Sequence, residues 1–420
     1  MYQKTILENG LRVISSRLPH CRSVSVCVFL AVGSRYEAEP EAGLSHFVEH
    51  MSFKGTRRRP TPREVAASIE GVGGVINAAT DRELTTYWCK VARHHFPLAL
   101  DVLADILLAS RYDAAEMERE RQVIIEELHM VKDMPHLRVG MLADELLWPG
   151  HPLGRDVAGT EESVSAITRE ELLRFVERRY LPCRAVVAVA GDIKHEQVVE
   201  GVARAFAAWR DGTPPPGFQP FVDAANPRLE IAAEETEQTH LCLALPGLPS
   251  LHPQRYALDV MNVLLGEGMS SRLFVKIRDE LGLAYSISSY VEHLRDTGAL
   301  TIYAGVEHSR LAVAVKAIVE ELALMRKPVG EEELRQAKEQ TKGRLLLRME
   351  DSRGVAAWIG AQEVLNGCVL TVDEVVAAVD ALGVEDIQAV ADDILRGEQL
   401  RLAVVGPVRE GGSLEALLTF

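Results

Sequence analysis

The chain has 420 residues and an ordinary globular composition, with 47% hydrophobic and 25% charged residues. That length fits two domains of about 200 residues each. The formal net charge of −15 argues against a nucleic-acid partner, because phosphate binding needs a basic face. No apolar run approaches the length that spans a bilayer, so we expect no membrane partner.

The first long apolar run, residues 24–32, follows a mostly polar stretch. It opens on Ser23-Val24-Ser25-Val26, and this period of two predicts a β-strand rather than a signal-peptide core. The six cysteines form no CxxC pair, and most of them lie in apolar runs. That pattern is typical of buried, reduced thiols. The sequence therefore predicts a cytoplasmic protein.

The next segment contains a candidate metal site. His46 and His50 are four positions apart. On a helix this spacing places both imidazoles on one face, so that both can reach one ion. Glu49 lies near the same face, close enough to polarise a water on the metal, and HxxEH is the inverted form of the zincin motif HExxH. The alternative is a surface helix whose polar residues have this spacing by coincidence.

A double glycine, Gly73-Gly74, then precedes the alternating stretch Val75-Ile76-Asn77-Ala78. The alternation predicts a strand. We expect the two glycines to leave room for another backbone to approach that strand.

A third metal ligand is expected from elsewhere, because a catalytic zinc takes three protein ligands and keeps one position open. Residues 116–128 have a strongly helical composition. Glu120 and Glu127 in this stretch are seven apart, two turns along one face. Val123, Ile124 and Leu128 lie along that side and are expected to carry the two carboxylates toward the interior. A buried carboxylate needs a partner, which either a metal or the arginines of the same helix could supply.

The two halves of the chain have similar patterns. A buried-strand run closed by glycine ends the first half at residues 185–191, and another ends the second half at residues 402–406. A Pro/Gly cluster near the midpoint predicts a linker at residues 213–222. We infer two copies of one α+β unit, residues 1–212 and 223–420, each a mostly antiparallel sheet packed against helices.

HxxEH followed by a distal Glu-x6-Glu resembles the pitrilysin/insulinase family of metallopeptidases, which includes the mitochondrial processing peptidase. The resemblance extends over nearly the whole chain. It implies a zinc ion held by His46, His50 and Glu127, and we expect one zinc per chain because the second half of the sequence has no HxxEH. It also implies Glu49 as the general base and Glu120 as the active-site carboxylate that tunes the ligands. Glu126 is rotated by about 100° from Glu127 on a helix, and it is the alternative third ligand.

The same resemblance implies how substrate is held. An extended peptide adds to an edge strand, with Asn77 and Ala78 beside the scissile bond. In the second half, Arg278 and Tyr285 match a pair that holds the substrate carbonyl and backbone, and such donors would stabilise a tetrahedral oxyanion. Full-length relatives have four such units and this chain has two. It therefore resembles the short branch, in which two subunits close a chamber.

The expected activity is that of a zinc-dependent endopeptidase acting on extended oligopeptides or unfolded segments. A homodimer suffices, since one chain carries both the zinc motif and the Arg278/Tyr285 pair, which would act across the interface. One alternative is a non-catalytic relative, against which the complete ligand set argues. Another is a processing-peptidase subunit with a different partner chain, against which the intact pair and the short glycine stretch 266–269 argue.

Overall fold

The protein is described by a computed structural model that covers residues 2–222, 227–408 and 412–419. Its residues form two compact units. The first unit comprises Met1–Leu128, Asp156–Gln219 and Leu346–Thr371, and the second comprises His129–Arg155, Pro220–Leu345 and Val372–Phe420. The predicted linker 213–222 contains no helix or strand. The predicted start of the second domain, residue 223, lies outside the described residues.

The first unit contains a six-stranded sheet. Its strands are β1 (Gln3–Ile6), β2 (Arg12–Arg17), β3 (Ser23–Leu30), β4 (Val75–Thr80), β5 (Thr85–Ala92) and β6 (Ala185–Gly191). They lie in the order β1-β2-β6-β3-β5-β4, and only the β2–β6 pair is parallel among these described strands. Strands β3 and β6 are buried on both faces, which explains their unbroken apolar runs. Strand β4 is left at an edge.

The second unit contains a five-stranded sheet. Its strands are β7 (Leu229–Ala233), β8 (Thr239–Pro246), β9 (Ala284–His293), β10 (Gly298–Val306) and β11 (Arg401–Gly406). They lie in the order β7-β11-β8-β10-β9, with β7 and β11 parallel and the other pairs antiparallel. Strand β9 is at an edge of this sheet, as β4 is in the first.

Helices cover both sheets. In chain order they are α1 (Leu44–Ser52), α2 (Pro62–Glu70), α3 (Phe96–Leu108), α4 (Ala114–Lys132), α5 (Pro135–Leu147), α6 (Glu161–Ala166), α7 (Arg169–Arg179), α8 (His195–Ala205), α9 (Arg255–Leu265), α10 (Leu311–Met325), α11 (Glu331–Arg348), α12 (Ser352–Asn366), α13 (Val372–Asp380), α14 (Val384–Ile394) and α15 (Gly412–Glu415). A π-helix spans Phe274–Glu280. None of the helices in the described ranges combines the length and hydropathy of a transmembrane span.

The two sheets have the same topology once β1 is set aside. Strands β2, β6, β3, β5 and β4 correspond in order and direction to β7, β11, β8, β10 and β9. In the first unit, α12 from the second half of the sequence packs on β3 and β6. In the second unit, α5 from the first half packs on β8 and β11. The predicted fold class, two copies of one α+β unit, is confirmed.

Candidate metal centre

Helix α1 has a fixed starting point. Gly43 precedes it at a φ of 90°, in the left-handed region that favours glycine, and a Cβ at Gly43 would lie 2.4 Å from the carbonyl oxygen of Ala158. The carboxylate of Glu37 accepts hydrogen bonds from the backbone N–H groups of Gly43 (2.9 Å) and Ser45 (2.6 Å). Glu37 is only 3% exposed. This buried carboxylate satisfies free N–H groups at the positive end of the helix dipole and so fixes where the two histidines lie.

Helix α1 has an apolar face and a face with polar side chains. Its apolar residues are buried in the core of the first unit, namely Leu44, Phe47, Val48 and Met51. The remaining positions bring His46, Glu49 and His50 to the half-buried side of the helix. The spacing in the sequence predicted this common face, because residues three and four apart on a helix are neighbours.

Helix α4 presents the two distal carboxylates to α1. Glu120 is 6% exposed, whereas the Glu127 side chain is 40% exposed. Of the three apolar residues expected to carry the carboxylates inward, Ile124 and Leu128 are buried and Val123 is 43% exposed. The burial of Ile124 and Leu128 anchors the helix, and of the two carboxylates only Glu120 is buried.

Three side chains converge on one point. Nε2 of His50 lies 3.5 Å from Oε2 of Glu127, and Nε2 of His46 lies 3.9 Å from the same oxygen. The candidate ligand atoms of the three residues all lie within 4.8 Å of one another. Tetrahedral zinc with bonds of 2.0–2.2 Å separates its ligand atoms by roughly 3.4 Å, so these residues fit the ion with small adjustments. Glu126 is exposed and lies outside this group, which favours Glu127 as the third ligand.

The other ring nitrogen of His50 also has a hydrogen-bond partner. Its Nδ1 donates a hydrogen bond of 3.1 Å to Oε2 of Glu120. A proton held on Nδ1 leaves the Nε2 lone pair free for a metal, which is the usual role of a carboxylate behind a ligating histidine. Burial raises the pKa of Glu120, but hydrogen bonds from His50 and Lys54 outweigh it, and the pKa lies below its ordinary value.

Lys54 is a member of this cluster that sequence reasoning missed. Its Nζ lies 2.6 Å from Oε1 of Glu120. The available signal was its position four residues after His50, the spacing at which residues on a helix meet.

His46 is held in its neutral form. Burial, and then the neighbouring His50, lowers the pKa of His46 to about 4. A neutral imidazole is the form that binds metal. Nδ1 of His46 is buried and has no hydrogen-bond partner in the described part of the chain, whereas Nε2 faces Glu127.

Glu49 contacts the edge strand. Its Oε2 accepts a hydrogen bond of 2.5 Å from the hydroxyl of Thr80 at the end of β4. Burial raises the pKa of Glu49, and the hydrogen bond from Thr80 opposes that rise. A carboxylate with a raised pKa is a better proton acceptor near neutral pH. The role of Thr80 could not be predicted from sequence spacing, since the contact depends on how α1 packs on β4.

The second unit contains a contact like that between Thr80 and Glu49, but between two uncharged side chains. Helix α9 packs on edge strand β9 as α1 packs on β4. There, Oδ1 of Asn262 accepts a hydrogen bond of 2.6 Å from the hydroxyl of Ser289. Among the described residues, the group on α1 and α4 is the only cluster of three or more His, Cys, Asp or Glu side chains arranged to hold a metal ion.

Asn77 and Ala78 lie on edge strand β4, paired with β5 on one side. Oδ1 of Asn77 accepts a hydrogen bond of 2.8 Å from the N–H of Ala78. The expectation that the double glycine makes room for another backbone fails for Gly74. A Cβ there would lie 2.7 Å from Cγ1 of Val91, so this glycine serves packing within the unit. Gly73 has a φ of 71° and serves the turn.

Arg278 and Tyr285 belong to the second unit. Arg278 lies in the π-helix, and its guanidinium is 5.1 Å from the ring centroid of Tyr285 and 4.7 Å from that of Phe274. Tyr285 is the second residue of β9 and is 77% exposed. The two predicted binding residues are therefore adjacent, and the tyrosine is accessible.

Comparison with known proteins gives matches over most of the chain. Residues 12–161 match the model of the insulinase family (peptidase family M16), and residues 166–341 match that of the peptidase M16 inactive domain. The chain is 36% identical to YmxG, an uncharacterized zinc protease of Bacillus subtilis, over 97% of this chain and 98% of that protein. It is 38% identical to an uncharacterized zinc protease of Mycobacterium leprae, over 96% of this chain and 91% of that protein.

Solved structures share the fold. A protease from Helicobacter pylori aligns with a TM-score of 0.89 at 24% identity, covering 97% of this chain and 99% of that one. A peptidase M16 inactive domain from Pseudomonas fluorescens aligns with a TM-score of 0.89 at 19% identity, covering 97% of this chain and 98% of that one. The matches to both family models, together with relatives that are 36% and 38% identical over at least 96% of this chain, show that the chain belongs to the insulinase family of zinc proteases, peptidase family M16.

Proposed function

We propose that this protein is a zinc-dependent endopeptidase that hydrolyses extended oligopeptides or unfolded segments. One observation carries the proposal: His46, His50 and Glu127 bring their ligand atoms within 4.8 Å of one another, and Glu49 lies on the same side of α1 without joining them. Three ligands and an adjacent carboxylate are what a hydrolytic zinc site needs.

The chain's own residues supply the proton transfers and the orientation. Zinc, when bound, supplies the Lewis acidity that makes water a nucleophile near neutral pH. Glu49 takes a proton from the attacking water and then returns it to the nitrogen of the departing amine. Thr80 holds the Glu49 carboxylate by a hydrogen bond, and Glu120 holds the His50 ring. The proposed stoichiometry of one zinc per chain is supported by the single candidate ligand group among the described residues.

We further propose that substrate binds as an added strand on β4. Main-chain hydrogen bonds to an edge strand give affinity with little dependence on side chains. Asn77 and Ala78 lie on this edge, and the same strand reaches Glu49 through Thr80. A peptide paired with β4 would therefore run past the proposed base.

The proposed active form is a homodimer that closes a chamber. Arg278 and Tyr285 of the partner subunit would hold the substrate carbonyl at the zinc site, where their donors stabilise the developing oxyanion. The proposal is supported by the presence of both parts in one chain and by the exposure of Tyr285. A cytoplasmic location stays a prediction from the cysteine pattern.

A zinc assay combined with a cleavage assay tests this function. The purified protein should contain one zinc per chain and cleave unstructured peptides internally, a chelator should abolish cleavage, and added zinc should restore it. A Glu126→Gln variant is the control and should behave as the wild type, because Glu126 is exposed outside the ligand group. Bound zinc without cleavage of any peptide in a mixed library would favour the non-catalytic alternative.

A further inference from the structure

We propose that Lys54 is a positioning residue of the metal centre, which acts through Glu120 to hold the His50 ring. This inference rests on the proposed zinc function. Lys54 would contact neither metal nor substrate, and its effect would be on how tightly the site holds the ion.

Glu120 forms a bridge between Lys54 and His50. One carboxylate oxygen, Oε1, lies 2.6 Å from Nζ of Lys54, and the other, Oε2, accepts the hydrogen bond of 3.1 Å from Nδ1 of His50. Glu120 is buried, so an oxygen that loses its partner is not freely compensated by water. With both oxygens engaged, the carboxylate plane is fixed, and the direction of the His50 ring is fixed with it.

The backbone places Lys54 for this role. The N–H of Lys54 donates to the carbonyl of Met51 with a length of 3.2 Å, which extends the last turn of α1 beyond Ser52. The lysine is therefore attached to the same helix as the histidine whose orientation it controls. The carboxylate between them comes from α4, so the three groups also join the two helices that supply the ligands.

The charges in the cluster also support this role for Lys54. Glu49, Glu120 and Glu127 are three carboxylates in one region, and the described ion pairs give the cluster one lysine, Lys54. Lys54 balances one of the three negative charges, and a divalent cation would balance the other two. Without Lys54, the buried Glu120 would lose its charge partner, and an unpaired buried carboxylate is unfavourable.

The competing interpretation is an ordinary structural ion pair, and the chain offers a matched control. Nζ of Lys4 lies 2.6 Å from Oε1 of Glu363, a carboxylate with 2% exposure. This pair has the same length as the Lys54–Glu120 pair and belongs to the same unit. Lys4 lies on β1, at the opposite edge of the sheet from β4, and the other partner of Glu363 is Arg12.

Zinc dissociation constants, measured by competition with a chromogenic chelator, test the proposal independently of turnover. Lys54→Met keeps the apolar stem and removes the charge, and it should weaken zinc binding by about tenfold, the lower end of the range for residues that orient a ligand. Lys54→Arg should restore most of the affinity. Lys4→Met should leave zinc affinity unchanged. If Lys54→Met fails to fold, Lys54→Gln replaces it with the same expected loss.

A double variant shows whether Lys54 acts through Glu120. If it does, Lys54→Met combined with Glu120→Gln should bind zinc as weakly as Glu120→Gln alone, because the second change removes the same interaction. Wild-type affinity in Lys54→Met, or losses that multiply in the double variant, would overturn the proposal. A wild-type chain that binds no zinc would overturn the proposed function itself, and the role of Lys54 with it.

Discussion

The hydroxyl of Thr80 donates a hydrogen bond of 2.5 Å to Oε2 of Glu49, and this contact ties helix α1 to edge strand β4. The proposed general base is therefore held by the strand on which we propose that substrate binds. A hydrogen bond to a charged group contributes about 1.5–3 kcal/mol, more than a bond between neutral groups.

Thr80→Val should lower kcat by about tenfold or more, since the base would lose the bond that orients it. Zinc content and KM should change little, and Thr80→Ser should recover most of kcat. Thr85→Val is the matched control. Thr85 pairs with Thr80 across the β-ladder, but its hydroxyl donates to the carbonyl of Val32 at 3.0 Å. Equal losses of kcat in the two valine variants would assign Thr80 a merely structural role.

Glu49→Gln should abolish turnover and keep zinc. The amide has almost the same shape as the carboxylate but cannot accept the proton from water, so kcat should fall at least about a hundredfold. Steady-state cleavage of a fluorogenic peptide, together with metal analysis of the same sample, measures both effects. Glu126→Gln on α4 serves as the control. Normal turnover in Glu49→Gln would remove this residue from the mechanism.

N-methylated substrates test binding to the edge of β4. Successive residues of a strand point their N–H groups alternately toward and away from the neighbouring strand. Methylation of every second backbone nitrogen in a good peptide substrate should therefore raise KM strongly in one register and weakly in the other. Alanine substitutions along the same peptide should have smaller effects. Equal tolerance of methylation in both registers would argue against strand addition.

Mixing two inactive variants tests the proposed dimer. Arg278→Ala and Glu49→Gln should each be nearly inactive alone. A mixed dimer has one site that combines an intact Glu49 with the partner subunit's Arg278, so random exchange in a symmetric dimer should restore about a quarter of wild-type activity. Size-exclusion chromatography at low concentration checks that a dimer forms. A mixture no more active than its separate components would contradict action across the interface.

The spacing of residues predicted which side chains share a helix face, because helix geometry is the same in every protein, whereas the choice of Glu127 as the third ligand came from the family resemblance. Four positions on α1 bring His46 and His50 together, and seven positions on α4 bring Glu120 and Glu127 to one side. The duplication was also predictable, because each buried strand that ends a half carries an uninterrupted apolar run and a closing glycine. The shared strand order of the two sheets agrees with that prediction.

Contacts between elements were not predictable from one sequence. The cap on α1 comes from Glu37, six positions before Gly43, and depends on the path of the loop between them. Lys54 and Thr80 act on carboxylates that only packing brings near. On α4, the apolar residues beside the two carboxylates differ, since Ile124 and Leu128 are buried and Val123 is exposed. Periodicity alone could not distinguish an open site from a core.

The central claim is that His46, His50 and Glu127 hold one zinc ion. Diffraction from crystals of the zinc-loaded protein, recorded on both sides of the zinc absorption edge, locates the ion directly. We expect one anomalous peak per chain within about 2.2 Å of Nε2 of both histidines and a carboxylate oxygen of Glu127, with one coordination position free of protein ligands. A peak bound elsewhere, or a Glu127 side chain turned away from the ion, would contradict it.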